Sequence, residues 1–151
     1  MDSERRQERI VERMRDRGCR ITPQRLAIVH SLFTLGPEHP SIEPLYAAVK
    51  RDYPTTSQAT VYKTVALLKE MGEVYEVRGA DDAAHYEVIR QDAHAHAVCR
   101  ECGCIVDFDL DHLDELMTEV ATISEFASLD RMIQFSGVCR DCARAGSQET
   151  E

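Results

Sequence analysis

Apolar residues recur at helical spacing four times in the first seventy positions of this 151-residue chain, and the period then drops to about two. Ser3 to Arg17 predicts a helix with Ile10, Val11 and Met14 as its apolar stripe and Gly18 just past its end. Thr22-Pro23 starts a second: Thr is an N-cap, and Pro sits at the first helical position, where no N–H is needed. Leu26, Ile28, Val29, Leu32 and Phe33 follow, and Gly36-Pro37 stops it. Ser41 caps a third helix through Leu45, Tyr46, Val49 and Tyr53, with Pro44 tolerated in the first turn and Pro54 ending it. Ser57 caps a fourth, in which Val61, Val65, Leu67, Leu68 and Met71 are periodic, and Gly72 closes it.

Val74, Glu76 and Arg78 then alternate with Tyr75 and Val77, Gly79-Ala80-Asp81-Asp82 forms a turn, and His85–Ile89 is the return strand. Short helices followed by a hairpin describe a winged helix-turn-helix, whose last helix before the wing enters the major groove. Beyond a polar hinge at 90–93, His94–Val98 and Ile105–Phe108 predict strands on either side of Cys99–Gly103. A helix opening at Asp111 and running through Ile123, a strand over Leu129–Phe135 and a polar tail at 143–151 complete the pattern. The expected class is α+β: a winged-helix domain over residues 1–89, then a small α/β domain over 94–142.

Composition narrows the class of function. No stretch approaches the ~18 apolar residues of a membrane span, and Met1-Asp2-Ser3-Glu4-Arg5-Arg6 leads into charge rather than an apolar signal. A soluble, cytoplasmic protein is expected. Its six cysteines then point to metal or redox chemistry before a disulfide scaffold. The net charge of −9 is unevenly spread: residues 1–80 carry +2 and residues 81–151 carry −11. That asymmetry is expected of two modules with different partners, though two solvated faces would give it too.

The strongest chemical signal is a pair of knuckles, Cys99-x-x-Cys102 and Cys139-x-x-Cys142. Four thiolates at ~2.3 Å close a tetrahedral zinc site that is structural, with no open position. Two unrelated CxxC turns or redox disulfides are the alternative. Cys104 can compete as ligand or be oxidised, and Cys19 reads as a packed or free thiol. A second constellation joins His and carboxylate. His94 and His96 stand two apart on a predicted strand, so both imidazoles leave one face. Asp107 lies where a neighbouring strand can bring its carboxylate to them, Glu87 ends the wing, and His39 precedes the third helix. Three neutral imidazoles and two carboxylates suit Fe(II), Mn(II) or Zn(II). An enzymatic reading also exists: His85-Tyr86-Glu87 with Cys99-x-x-Cys102 echoes zinc deaminases. Against it, Val98 replaces their Pro, only 11 residues separate Glu87 from Cys99, and no GxSxG, P-loop or GxGxxG occurs. The chain is not expected to be an enzyme.

Over residues 10 to 142 the sequence resembles the ferric uptake regulator (Fur) superfamily of metal-dependent transcription factors. The motifs are Arg20-Ile21-Thr22-Pro23-Gln24-Arg25, His39-Pro40, Ala59-Thr60-Val61-Tyr62, His94-Ala95-His96-Ala97-Val98-Cys99-x-x-Cys102-Gly103 and Cys139-x-x-Cys142. The resemblance implies a winged-helix domain, a dimerisation domain and a homodimer on double-stranded operator DNA of dyad symmetry. It also implies zinc held by Cys99, Cys102, Cys139 and Cys142, and a regulatory Fe(II) or Mn(II) at the domain junction. His39, Glu87, His94, His96 and Asp107 match that regulatory site, with Zn(II) able to enter it in vitro. Tyr62 matches a recognition-helix tyrosine that packs on thymine. Arg25, Lys63 and the N-terminal arginines match phosphate or groove contacts, and Thr60 and Ser57 are further DNA-contact candidates.

Some members carry a further site at positions held here by Ala93, Ala95 and Arg131, so that site is expected to be absent. The peroxide-sensing branch often has Asp where this chain has Glu87, and fewer residues before the His pair than the six found here. Metal-activated repression is therefore the expected function, with no membrane and no small organic substrate as partners. A peroxide sensor, a zinc-sensing member and a zinc-stapled module that binds no DNA are the alternatives.

Overall fold

The computed structural model describes residues 2–80, 83–90, 94–130 and 132–148. The predicted turn at Asp81-Asp82, most of the predicted hinge, Ala93, Arg131 and residues 149–151 lie outside them. The chain divides into two compact units, Met1–Val77 with Ala84–Ile89, and Arg78–Ala83 with Arg90–Glu151.

In the first unit, α1 (Asp2–Asp16), α2 (Pro23–Leu35), α3 (Ile42–Asp52) and α4 (Gln58–Glu70) precede β1 (Val74–Arg78) and β2 (Ala84–Val88). Sequence chemistry marks the helix starts. Thr22 Oγ1 accepts from the Arg25 N–H at 3.2 Å, and Ser57 Oγ accepts from the Thr60 N–H at 3.2 Å. The apolar stripes converge on one core containing Ile10, Met14, Ile28, Leu32, Leu45, Val49, Val61, Val65 and Leu68. Each such side chain contributes roughly 1.5–3 kcal/mol when buried. A single turn of 3-10 helix, Gly36–Glu38, follows α2 and ends on His39, whose φ of 48° is left-handed. Strands β1 and β2 pair as the wing. The Tyr86 N–H of β2 reaches back to the Pro40 carbonyl at 2.9 Å.

The second unit is built on β3 (His94–Cys99), β4 (Ile105–Phe108), α5 (Leu113–Ser124), β5 (Met132–Gly137) and α6 (Arg140–Gln148). Its sheet has the order β4-β3-β5. β3 pairs antiparallel with β4, His96 opposite Asp107, and parallel with β5, Cys99 opposite Gly137. A parallel partner demands a crossover, which α5 supplies. As the central strand, β3 is buried along nearly its whole length.

Four expectations need correction. The wing tip, Arg78–Ala83, groups with the second unit, where the Gln134 amide bonds both the Arg78 N–H (3.3 Å) and its carbonyl (2.9 Å). α5 begins at Leu113, two residues after Asp111, because the Asp111-His112 turn precedes it and His112 offers no side-chain cap. β5 begins at Met132 and reaches Gly137, displaced from Leu129–Phe135, because pairing with all six residues of β3 sets its extent. Residues 143–148 continue α6, the Ala143 N–H bonding the Cys139 carbonyl at 2.9 Å, where a frayed tail is expected from composition. No helix among the described residues is long and apolar enough to cross a membrane.

Candidate metal centres and nucleic-acid face

The parallel register of β3 and β5 builds the cysteine cluster. With Cys99 opposite Gly137, the chain leaves both strands at the same end of the sheet, and the two knuckles emerge side by side. The first is pinned at its base: Cys99 N–H bonds the Cys104 carbonyl and Gly103 N–H bonds the Cys99 carbonyl, both at 2.9 Å. Gly103 has a φ of 75°, a left-handed conformation that costs a side-chain-bearing residue energy. The Arg100 N–H bonds the Gly137 carbonyl at 2.8 Å and ties the knuckle to β5. The second knuckle runs into α6, which places Cys142 in its first turn.

The sulfurs of Cys99, Cys102, Cys104 and Cys139 all lie within 4.8 Å of one another. Cys102 Sγ is 3.8 Å from Cys139 Sγ. Two vertices of a tetrahedron with ~2.3 Å metal–sulfur bonds stand about 3.8 Å apart, so this donor set fits zinc. The backbone N–H groups of Cys102 and Cys139 hold the Cys99 thiol down at about 6, the second across 3.3 Å. The Cys142 N–H, 3.5 Å away, lowers Cys139 in the same way. A hydrogen bond to Cys102 pushes Cys104 up to about 12, and one to Cys139 pushes Cys142 up. Thus the cluster has five thiols, and Cys104 enters the tight group in which the pattern places Cys142.

The histidines and carboxylates form two sets, one in each unit, all buried except the half-buried Asp107. In the first, His39 and Glu87 are both at most 5% exposed, with His39 Nε2 3.7 Å from Glu87 Oε2. His85, on β2, approaches the His39 carbonyl through Nδ1 at 2.8 Å and holds the left-handed turn in place. In the second, the His94 and His96 rings meet edge-on, centroids 4.7 Å apart, and His96 Nε2 is 3.4 Å from Asp107 Oδ1. Both imidazole–carboxylate distances exceed a hydrogen bond of ~2.7–3.2 Å. Two ligand atoms on one ion, at ~2.0–2.2 Å from the metal, stand about 3.0–3.6 Å apart; His96–Asp107 falls inside that span and His39–Glu87 just beyond it. Buried donors of this hardness suit Fe(II), Mn(II) or Zn(II).

The expected DNA contacts lie on the first unit. Tyr62, 59% exposed, and Lys63 project from α4. Ser57 and Thr60 form the cap of that helix, their hydroxyls 2.9 Å apart. The Arg25 guanidinium folds onto the Arg20 carbonyl. His85 as the support of His39 escapes sequence reasoning; its one signal is its place on the strand carrying Glu87. The deaminase reading loses its ligand set, since Cys99 and Cys102 group with Cys104 and Cys139.

Comparison with known proteins agrees in sequence and in fold. The sequence model of the ferric uptake regulator family matches residues 16–136. The peroxide operon regulator of Bacillus subtilis is 34% identical over 134 residues, covering 89% of this chain and 91% of that protein. The crystal structure of the Campylobacter jejuni peroxide stress regulator superposes with a TM-score of 0.67 at 31% identity, covering 80% of this chain and 89% of the other. The Helicobacter pylori ferric uptake regulator shares the fold, with a TM-score of 0.78 at 21% identity and 93% of each chain covered.

Proposed function

The chain belongs to the ferric uptake regulator family, and on that premise we propose that it is a metal-responsive transcriptional repressor acting as a homodimer on operator DNA. The observation that carries this reading is the pair of imidazole–carboxylate contacts, His39–Glu87 and His96–Asp107, in which all but the half-buried Asp107 are buried. A DNA-binding module with no response to metal has no need to bury three histidines and a glutamate, because burying ionisable groups is costly unless they are paired or coordinated.

His39 and Glu87 from the first unit and His94, His96 and Asp107 from the second are read as joint ligands of one Fe(II) or Mn(II), with Zn(II) a third candidate. Bound there, the ion supplies a cross-link between the units. His85 steadies the His39 turn, and the sheet register holds His96 against Asp107. With all five donors engaged, the two recognition helices of a dimer keep one separation, suited to half-sites about 34 Å apart. Tyr62 contacts base edges, while Lys63, Arg25 and the N-terminal arginines contact phosphate. Cys99, Cys102, Cys139 and Cys142 hold a structural zinc that staples the second unit. The exposed apolar residues of that unit, Val106, Ile123, Phe126 and Phe135 among them, support dimerisation there.

A second reading within the family is peroxide sensing, favoured by the names of the Bacillus and Campylobacter relatives. On that reading His39, His94 and His96 would hold the iron, hydrogen peroxide would be the oxidant, one of its oxygens would end on a histidine and the other leave as water, and the loss of that ligand would release DNA. Mass spectrometry of the iron form after peroxide decides: added oxygen on His39, His94 or His96 favours it, and unmodified histidines exclude it. The main reading is tested by selecting duplexes from a random pool with Mn(II) present. Enrichment of a palindrome that the protein loses on chelation is expected, and no enrichment would reject the proposal.

A further inference from the structure

The cysteine pattern pairs Cys99-x-x-Cys102 with Cys139-x-x-Cys142, yet the mutually close sulfurs are those of Cys99, Cys102, Cys104 and Cys139. We propose that Cys104 is a zinc ligand, able to hold the fourth position of the site in place of Cys142, so that the ion is shared among five thiols. The inference rests on the zinc reading above and adds to it the identity of the fourth donor.

Three observations carry it. Cys104 belongs to the turn that presents Cys102: its carbonyl accepts the Cys99 N–H at 2.9 Å, so its backbone is fixed relative to both first-knuckle ligands. Its sulfur lies within 4.8 Å of three other sulfurs, inside the span a tetrahedral site covers after small side-chain rotations. Cys142 sits on a different kind of support, the first turn of α6, and its N–H is committed to Cys139 Sγ at 3.5 Å. Two thiols on separate elements therefore face the same vertex. A thiol that binds as thiolate gives its proton to solvent, and the metal–sulfur bond it forms replaces the one the other thiol gives up on taking a proton back. No oxidant or reductant is required. A site of this kind exchanges its fourth ligand without releasing the ion, which a closed set of four cysteines cannot do.

The test uses zinc-loaded full-length protein given a brief pulse of iodoacetamide, with labelled cysteines mapped by mass spectrometry. Ligated thiolates are protected. Among the five clustered thiols (Cys19 lies outside them), label divided between Cys104 and Cys142, with Cys99, Cys102 and Cys139 protected, is expected; label on Cys104 with none on Cys142 would overturn the proposal. Zinc content after mild chelation gives a second readout. Cys142→Ser is expected to keep about one zinc per chain, and the double variant Cys104→Ser/Cys142→Ser to lose it. Loss of zinc from folded Cys142→Ser, or its retention by the double variant, would also overturn it. Wild-type protein without zinc would instead sink the underlying zinc reading.

Discussion

His96 on β3 lies directly across the sheet from Asp107 on β4, its Nε2 3.4 Å from Oδ1, with none of its surface exposed. The pairing is a consequence of register, since a slip of one residue would send the imidazole to the opposite face. We read His96 as a ligand of the proposed regulatory ion. His96→Ala is expected to weaken Mn(II) binding by at least the ~10–100-fold typical of losing even a supporting group, while zinc content stays unchanged. Calorimetric titration with Mn(II) checks both.

Tyr62 is an exposed aromatic on a helix whose opposite face is fully packed. Tyr62→Ala therefore removes a surface group, and folding should be unaffected. Specific DNA affinity should fall by about 1–3 kcal/mol, the cost of one good base contact. Fluorescence anisotropy on the selected palindrome measures this, with zinc content and dimer mass as controls.

Zinc removal should act on one unit only. Apart from Ala95, Val98, Cys99 and Leu113, the buried apolar side chains among the described residues belong to the first unit. The second thus depends on its metal, which in structural sites contributes about 10–16 kcal/mol of apparent binding energy. Strong chelation is expected to raise hydrogen exchange through β3, β4 and β5 while α2, α3 and α4 stay protected. Uniform loss of protection would contradict this.

How far the sequence could be read follows from the same asymmetry. The four helices and the wing were legible because caps such as Thr22 and Ser57 and stripes such as Ile28–Leu32 act locally. The limits of β5 were not, because the pairing partner β3 decides them across a crossover. The donors were legible as residue types, and Cys104 as a competing thiol, but which sulfurs lie closest together was not, since the parallel register gathers Cys104 as closely as the second knuckle. The role of His85 depends on a left-handed turn at His39 that no local pattern announces.

The pH dependence of zinc binding has a definite sign. Cys99 is lowered from 9.0 to about 6, so above that pH its thiolate is already formed and zinc displaces no proton from it. Below about 6 it must be deprotonated by the metal. Zinc affinity should then fall by about one further factor of ten per pH unit than above 6. Competition with a chromophoric chelator between pH 5 and pH 8 reads the change of slope; a constant slope would refute the Cys99 assignment.

We propose that one divalent ion, with ligands from both units, controls DNA binding. The decisive experiment titrates Mn(II) into zinc-loaded protein and fluorescent palindrome, for wild type and for His39→Ala and His96→Ala. Wild-type affinity is expected to rise steeply with Mn(II). Each variant, one from either unit, should lose that rise, and DNA should tighten Mn(II) binding by the same factor. Wild-type affinity independent of Mn(II), or a full metal response in either variant, would contradict it.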